Sequence, residues 1–426
     1  MPLNVYLTRL RELFMKTETT FNADVFNGNP ASTYRLDAED INFSPTQEFL
    51  ERTVQLGTLG NISGLVGGKG GTVKFKLGLR STGNTTSPHA VDTALATALS
   101  GSAMQRFALA GTTGQADTTA ATGGTLSTTA VKLSADTSYG PGNAAPPILA
   151  RLASGTTGVL EPRAIPASAS GAQQTIAPPF TAAPSSADPI LGADVWWPIN
   201  DASGIISTPR TVTIKAYADN ANNGGVEYTF TGCFGAPPKL TCGANKRAML
   251  EFSFDVTSWL VTSTTAPAPD QVSAVPGSIV GLGASFWWKA AASSVTPISS
   301  LELDWGMALK PIASMTAPDG KAGWVPEGLK PILKVDPYFA TSWQTDFSAA
   351  TEDLVLAYMG GPTPAQGSTV AILLPSAQIS KFPAPEDIGG LQGHKIEFQG
   401  NVPFSSADDS PGAVALGLAP AYLAFF

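Results

Sequence analysis

A chain that does chemistry through its side chains must bring a nucleophile to a base or several ligands to one metal, and this sequence supplies few residues for either. It holds two histidines, His89 and His394, and two cysteines, Cys233 and Cys242. His89 follows Pro88 at the start of a short apolar-periodic segment, with Asp92 three residues on, a setting that predicts a solvated helix start and not a general base. His394 precedes an alternating run, QGHKIEF, and is expected to face solvent. Neither stands in a GxSxG, HExxH or CxxC pattern. The cysteines lie in TGCFGAPPKLTCG; a hairpin at GAPP would bring them within reach of a disulfide if the register agrees, whereas a reducing compartment predicts two free thiols. Two cysteines without a histidine partner make no zinc site.

Lys69 sits in GGKGG, which has the composition of a phosphate loop but not its order. A P-loop needs Gly-x4-Gly-Lys-Ser/Thr leading into a helix, and here Lys69 leads into glycine and a strand, so a flexible hairpin tip is expected. The acid pairs Glu386-Asp387 and Asp408-Asp409 fall in Pro/Ser/Gly-rich turns, where solvated acids are the ordinary finding, and the second lacks the spacing of a calcium loop. No cofactor or metal is called for, and a structural role outranks an enzymatic one.

The segments that would have to position any site are short, alternating and broken by 43 glycines and 34 prolines across 426 residues, with only 14 % charged residues. That pattern predicts a mainly β protein with long polar loops, divided into two or three domains. A net charge of −8 excludes a surface built to grip nucleic-acid phosphates. No apolar run is long enough to cross a bilayer, and the opening VYLTRLRELFM is amphipathic and charged, unlike a signal peptide, so a soluble protein made in the cytoplasm is expected.

The clearest unit is GGTVKFKLGLRSTGNTTSPHAVDTALATALSG, beginning at Gly70. Val73, Phe75, Leu77 and Leu79 alternate with Lys74, Lys76 and Arg80, which predicts a half-buried strand. Ser87-Pro88 then opens a helix with Val91, Ala94, Leu95, Ala98 and Leu99 on one face, stopping at Gly101. The same order recurs from Leu329: a strand around Ile332, Leu333 and Val335, a polar connection, and a helix expected to carry Leu354, Val355, Tyr358 and Met359, ending at Gly360-Gly361. Such a duplication predicts two related domains. A second echo, Gly192-Ala193 with Trp196-Trp197 against Gly283-Ala284 with Trp287-Trp288, has a different offset.

Around these units, residues 1–35 form an arm with a helical apolar stripe of Leu3, Leu7, Leu10 and Phe14, expected to pack on a neighbour. A Thr/Ala/Gly-rich insertion at about 111–186, with strand-like islands in LSTTAVKLSA and PILARLASGTTGVLEPR, is expected to lie exposed on the outside. The strands TVTIKAYA, GVEYTFTGCFG and RAMLEFSFDVTSW complete a first domain over 36–262; a linker covers 263–276 and a second domain 277–426. That second domain ends in an apolar strand, AYLAFF, which needs covering by sheet or by another subunit.

The succession of a short arm, AEDINFSP, a loop ending at LVGGKGG, KFKLGLR, PHAVDTALATALSG and the meander GGVEYTFTGCFG to MLEFSFDVTSW resembles the tail tube, or major tail, proteins of tailed bacteriophages. The stretch from LELDWGM through DLVLAYMGG to IEFQGNVPF resembles the second half of their larger members. The resemblance implies two β-sandwich or barrel-like tube domains, each with a flanking helix, in a virion protein whose copies form rings stacked into a hollow conduit for DNA ejection. A trimer acting as a pseudo-hexamer is favoured over a hexamer. Implied partners are tail tip or baseplate and terminator proteins, with the tape measure protein and DNA in the lumen without sequence-specific binding, and no membrane. Ring-stacking or inter-subunit contacts are expected from Leu7, Leu10, Phe14, Phe49, Leu50, Leu59 and Val66, and inter-subunit salt bridges from Lys74, Lys76 and Arg80. The alternatives are an adhesion or carbohydrate-binding β protein, or another virion β protein such as a baseplate hub or capsid decoration.

Overall fold

Alternating apolar and charged residues build a long antiparallel hairpin, β2 (Ala38–Leu50) and β3 (Leu65–Gly78). The computed structural model describes residues 11–26, 28, 30–50, 65–79, 93–107, 118–119, 127–132, 148–152, 160–165, 173–185, 188–199, 210–218, 225–264, 279–281, 284–292, 295–317, 319–338, 340, 342–360, 368–402 and 419–426. On β3, Val73, Phe75 and Leu77 are buried while Lys74 and Lys76 point the other way, as the period of two dictates. The next strand in the sheet is β7 (Met249–Val256), whose Phe252 and Phe254 stack on Phe75 with ring centroids 5.1 and 5.8 Å away.

The rest of the first half is β1 (Arg11–Thr17), α1 (Thr93–Gly101), β4 (Val212–Ala218), β5 (Gly225–Gly235), β6 (Lys239–Gly243) and β8 (Ser258–Thr264). The second half comprises β9 (Ser285–Trp288), β10 (Ile298–Asp304), β11 (Ile332–Pro337), α2 (Ser342–Ser348), β12 (Glu352–Met359), β13 (Val370–Ile379), β14 (Ile396–Asn401) and β15 (Tyr422–Phe425). One pairing scheme is written twice. In the first half β1 pairs with β4, β4 with β5, the start of β5 with β8, its end with β7, β7 with β3 and β3 with β2. In the second, β9 pairs with β12, β12 with β13, the start of β13 with β15, its end with β14, β14 with β11 and β11 with β10. β5 and β13 each leave one layer and enter the next, β5 at Gly232, which has φ +60°, and β13 at Leu374-Pro375. In each half a short helix follows the strand of the long hairpin, α1 after β3 and α2 after β11.

The halves are also sewn together edge to edge. β6 pairs with β7 on one side and with β10 on the other, and the strand Asp194–Pro198 pairs with β15. All of these strands belong to one hydrogen-bonded network.

Several expectations are corrected. Residues 11–17 are a strand and not a helix, with Leu13 and Met15 in the main core and Phe14 buried against Tyr217 at 5.7 Å, edge to face. RELFMKT is apolar on both faces because both are covered, so its helical spacing is accidental. Phe14 therefore packs within its own chain. The expected helix at 354–359 is β12, buried on both sides, and the helix lies earlier at α2. The double-tryptophan echo does not mark equivalent strands, since Asp194–Pro198 pairs with Met104–Phe107 and β15 whereas β9 pairs with β12.

The insertion also differs. Its strands Ile148–Leu152 and Leu160–Ala164 are buried and, with the adjoining strand Pro189–Gly192, share a core with Leu354, Leu356, Tyr358 and Leu373 of the second half. The Arg163 guanidinium, 1 % exposed, lies 4.7 Å from the Trp287 ring and donates to the carbonyls of Pro162 and Pro179. Small residues and satisfied arginines make a core that composition alone does not advertise. The linker at 263–276 lies outside the described residues beyond Thr264.

Candidate functional site

The residues that could do chemistry are placed as structural groups. His394 is fully buried, contrary to expectation, with Nδ1 3.0 Å from the Pro383 carbonyl. Cys233 and Cys242 are free and buried, and burial pushes both thiols up, Cys242 to about 11. Glu386 pairs with Lys395 at 2.5 Å, and Asp387 accepts from the Gly390 N–H at 2.6 Å; both acids are exposed, on the hairpin of Pro385–Ile388 with Leu391–His394. No cluster of three or more metal-ligating side chains occurs among the described residues. His89 and the Asp408-Asp409 pair lie outside them.

GGKGG is not a loop tip but the middle of β3, where its glycines admit backbone neighbours. A Cβ on Gly68 would stand 2.9 Å from the Asp319 carbonyl oxygen, and one on Gly71, with φ +146°, 2.5 Å from that of Ser44. Lys69 donates to the Trp259 carbonyl at 3.0 Å and lies 5.0 Å from the Trp259 ring centroid.

The surface features are of a different kind. The described end of the β2–β3 hairpin exposes Phe49, Leu50, Leu65 and Val66, between 51 % and 69 % accessible. A second hairpin, Ala308–Ala313 with Lys321–Glu327, occupies the matching place between β10 and β11 and exposes Ile312, Met315 and Val325. Single exposed apolar residues are ordinary; here they face each other in pairs, Phe49 with Val66 and Leu50 with Leu65. Leu7, Leu10, Leu59 and Arg80 lie outside the described residues.

On the sheet face turned away from the core, charges alternate in a row that crosses the strands. Asp40 pairs with Lys76 at 3.1 Å, and Lys76 with Glu251 at 3.6 Å. Glu251 is opposite Lys239 in the ladder, and Lys239 reaches Glu302 at 3.0 Å. Glu302 also takes Lys334 at 2.9 Å; Lys334 is opposite Glu397, which Lys381 approaches at 3.9 Å. Arg247 joins the row through Glu39 at 2.8 Å. Lys76 makes these ion pairs within its own chain, because the register sets it beside Asp40 and Glu251. Its ammonium is held above the usual lysine range by the Asp40 hydrogen bond first and then by Glu251. Burial raises the Glu302 carboxyl, but the hydrogen bonds and charges of Lys334 and Lys239 outweigh it and hold the group below the ordinary range. Lys74 is exposed and makes no ion pair among the described residues.

Sequence reasoning missed this row because its members come from strands far apart in the chain; the only local signal was the KFK alternation. No protein-family model and no curated protein matches the chain.

Proposed function

We propose that this chain is a structural virion protein, a tail tube subunit whose two halves are successive tube-like domains of a ring, the rings stacking into a hollow conduit for DNA. The observation that carries the reading is the repeated pairing scheme with an edge-to-edge junction between the halves. A duplicated domain that already joins its own copy through β6 and β10 has the geometry for joining further copies in the same way, and closing a ring uses up sheet edges that would otherwise aggregate. Three chains then make a pseudo-sixfold wall. In this reading the charge row lines the lumen; its lysines are matched by acids, so the wall neither grips nor strongly repels a passing polyanion. The exposed hairpin ends make contacts between rings. Tail tip, terminator and tape measure proteins are the partners that such a tube requires.

Negative-stain electron microscopy of the purified chain at rising concentration tests this. Hollow tubes with a regular stacked-ring repeat are expected. A protein that stays globular and instead binds glycan surfaces would replace the reading with the adhesion alternative.

A further inference from the structure

The twofold pairing scheme fixes which residues correspond. Lys76 faces Glu39 on one side and Glu251 on the other; Lys334 faces Glu302 and Glu397 in the same way. Following the ladders outward, Gly235 opposite Phe254 corresponds to Ala377 opposite Gly400, which makes Lys239 and Leu240 the counterparts of Lys381 and Phe382. The first pair lies in the junction between the halves. There Lys239 reaches Glu302, and Leu240 is opposite Leu303 with both side chains fully buried. The second pair occupies the same place in its own half and is bare: the Lys381 side chain is 73 % exposed, and Phe382 is 51 % exposed with Phe347 as its aromatic neighbour at 5.6 Å.

The counterpart of Glu302 is Glu39, followed by Asp40, on β2. The charge row therefore begins with acids at Glu39 and Asp40 and ends with a cation at Lys381. We propose that these ends meet between two copies of this chain, Lys381 and Phe382 of one set against Glu39 and Asp40 of the next, repeating the β6–β10 junction. The inference rests on the ring reading above and names its closing contact. Head-to-tail pairing continues the alternation of charge without a break, whereas a twofold contact of either end with itself would bring like charges together. Pro383 and Pro385 have no N–H to donate, so the edge after Phe382 supports only a short ladder, which limits it as a template for indiscriminate strand addition.

By the same register Phe382 falls opposite the β2 bulge at Asp40 and Ile41, the two residues that face Phe75 where Leu303 alone faces Leu333, close enough for an engineered disulfide between copies. Full-length Phe382→Cys and Asp40→Cys variants are made singly and together; the native thiols are buried and do not compete. After oxidation, neither single variant should cross-link with itself, their mixture should give dimers that grow no further, and the double variant should give a ladder ending in a closed ring. Equal unfolding midpoints for variants and wild type establish that all are folded. Independently, Lys381→Glu should raise the concentration needed for assembly about tenfold. Wild-type rings or tubes together with no cross-link between the mixed variants and no effect of Lys381→Glu overturn this contact and leave the tube reading standing. Cross-linking of a single variant with itself overturns the head-to-tail arrangement. A wild-type chain that stays monomeric at the highest soluble concentration overturns both.

Discussion

Glu18 has no catalytic neighbour, yet it is one of the most constrained side chains in the molecule. It is 3 % exposed and accepts hydrogen bonds from the Thr211 and Thr213 hydroxyls and from the N–H groups of Gly232 and Asn22. It therefore pins the end of β1 to the start of β4 and to the kink in β5. Burial raises its carboxyl, and those hydrogen bonds only partly pull it back. A group whose folded value is raised contributes stability that is complete below its unfolded value, here 4.5, and is lost as pH rises through the folded value. The melting temperature of the wild type should carry a downward component above pH 4.5 that Glu18→Gln lacks. The Gln variant should still be less stable at low pH by about 1–3 kcal/mol, because both oxygens of the protonated carboxyl can accept hydrogen bonds whereas the amide nitrogen that replaces one of them cannot. A melting temperature for the variant that falls with the same slope would remove Glu18 as the cause. Nothing in the local sequence TETTFN marks this glutamate as buried, just as QGHKIEF did not mark His394; both depend on segments distant in the chain.

At the scale of elements, the β2–β3 hairpin makes the sharpest claim. Its core end is fixed by Phe75, Phe252 and Phe254, and its far end carries Phe49, Leu50, Leu65 and Val66 in the open. Phe49→Asp with Leu50→Asp should leave the unfolding midpoint within the small range of surface changes, about 0.5 kcal/mol, because neither side chain is buried. Under the proposed tube function, the same variant should yield rings that no longer stack, seen by electron microscopy as loss of tubes with ring-sized particles retained. Tubes of normal length would remove these residues from the stacking contact. β3 and β7 were legible in the sequence, since each has one covered face and so alternates, whereas on β5 Glu227 and Thr229 are buried and Val226 and Tyr228 only partly so. RELFMKT and DLVLAYM misled because strands covered on both faces lose the alternation, leaving an apolar run that fits a helix equally well.

At the scale of the whole molecule, the duplication was visible in outline but not in register. Its two halves bend β5 with a glycine and β13 near a proline, and only one carries an insertion between its helix and the next core strand, so residue-by-residue similarity is lost while the pairing is kept. The junction between the halves depends on Glu302, whose carboxyl is held low by Lys334 and Lys239 against the opposing effect of burial. A depressed group gives stability that is present above its unfolded value of 4.5 and lost as pH falls through the folded value. Glu302→Gln should therefore cost about 0.5–1 kcal/mol near neutral pH and converge with the wild type in acid, measured by denaturant unfolding at several pH values. A difference that persists unchanged in acid would assign the loss to something other than these ion pairs.

Because β6 and β10 belong to one polypeptide, their meeting is a unimolecular event. The tether holds each at an effective concentration on the order of millimolar for the other, however dilute the protein. A contact of the same design between separate chains has no such tether and follows the law of mass action. A junction and its counterpart between chains would thus separate on a dilution axis: the joined pair of halves forms at any concentration, and a closed assembly only where enough chains accumulate.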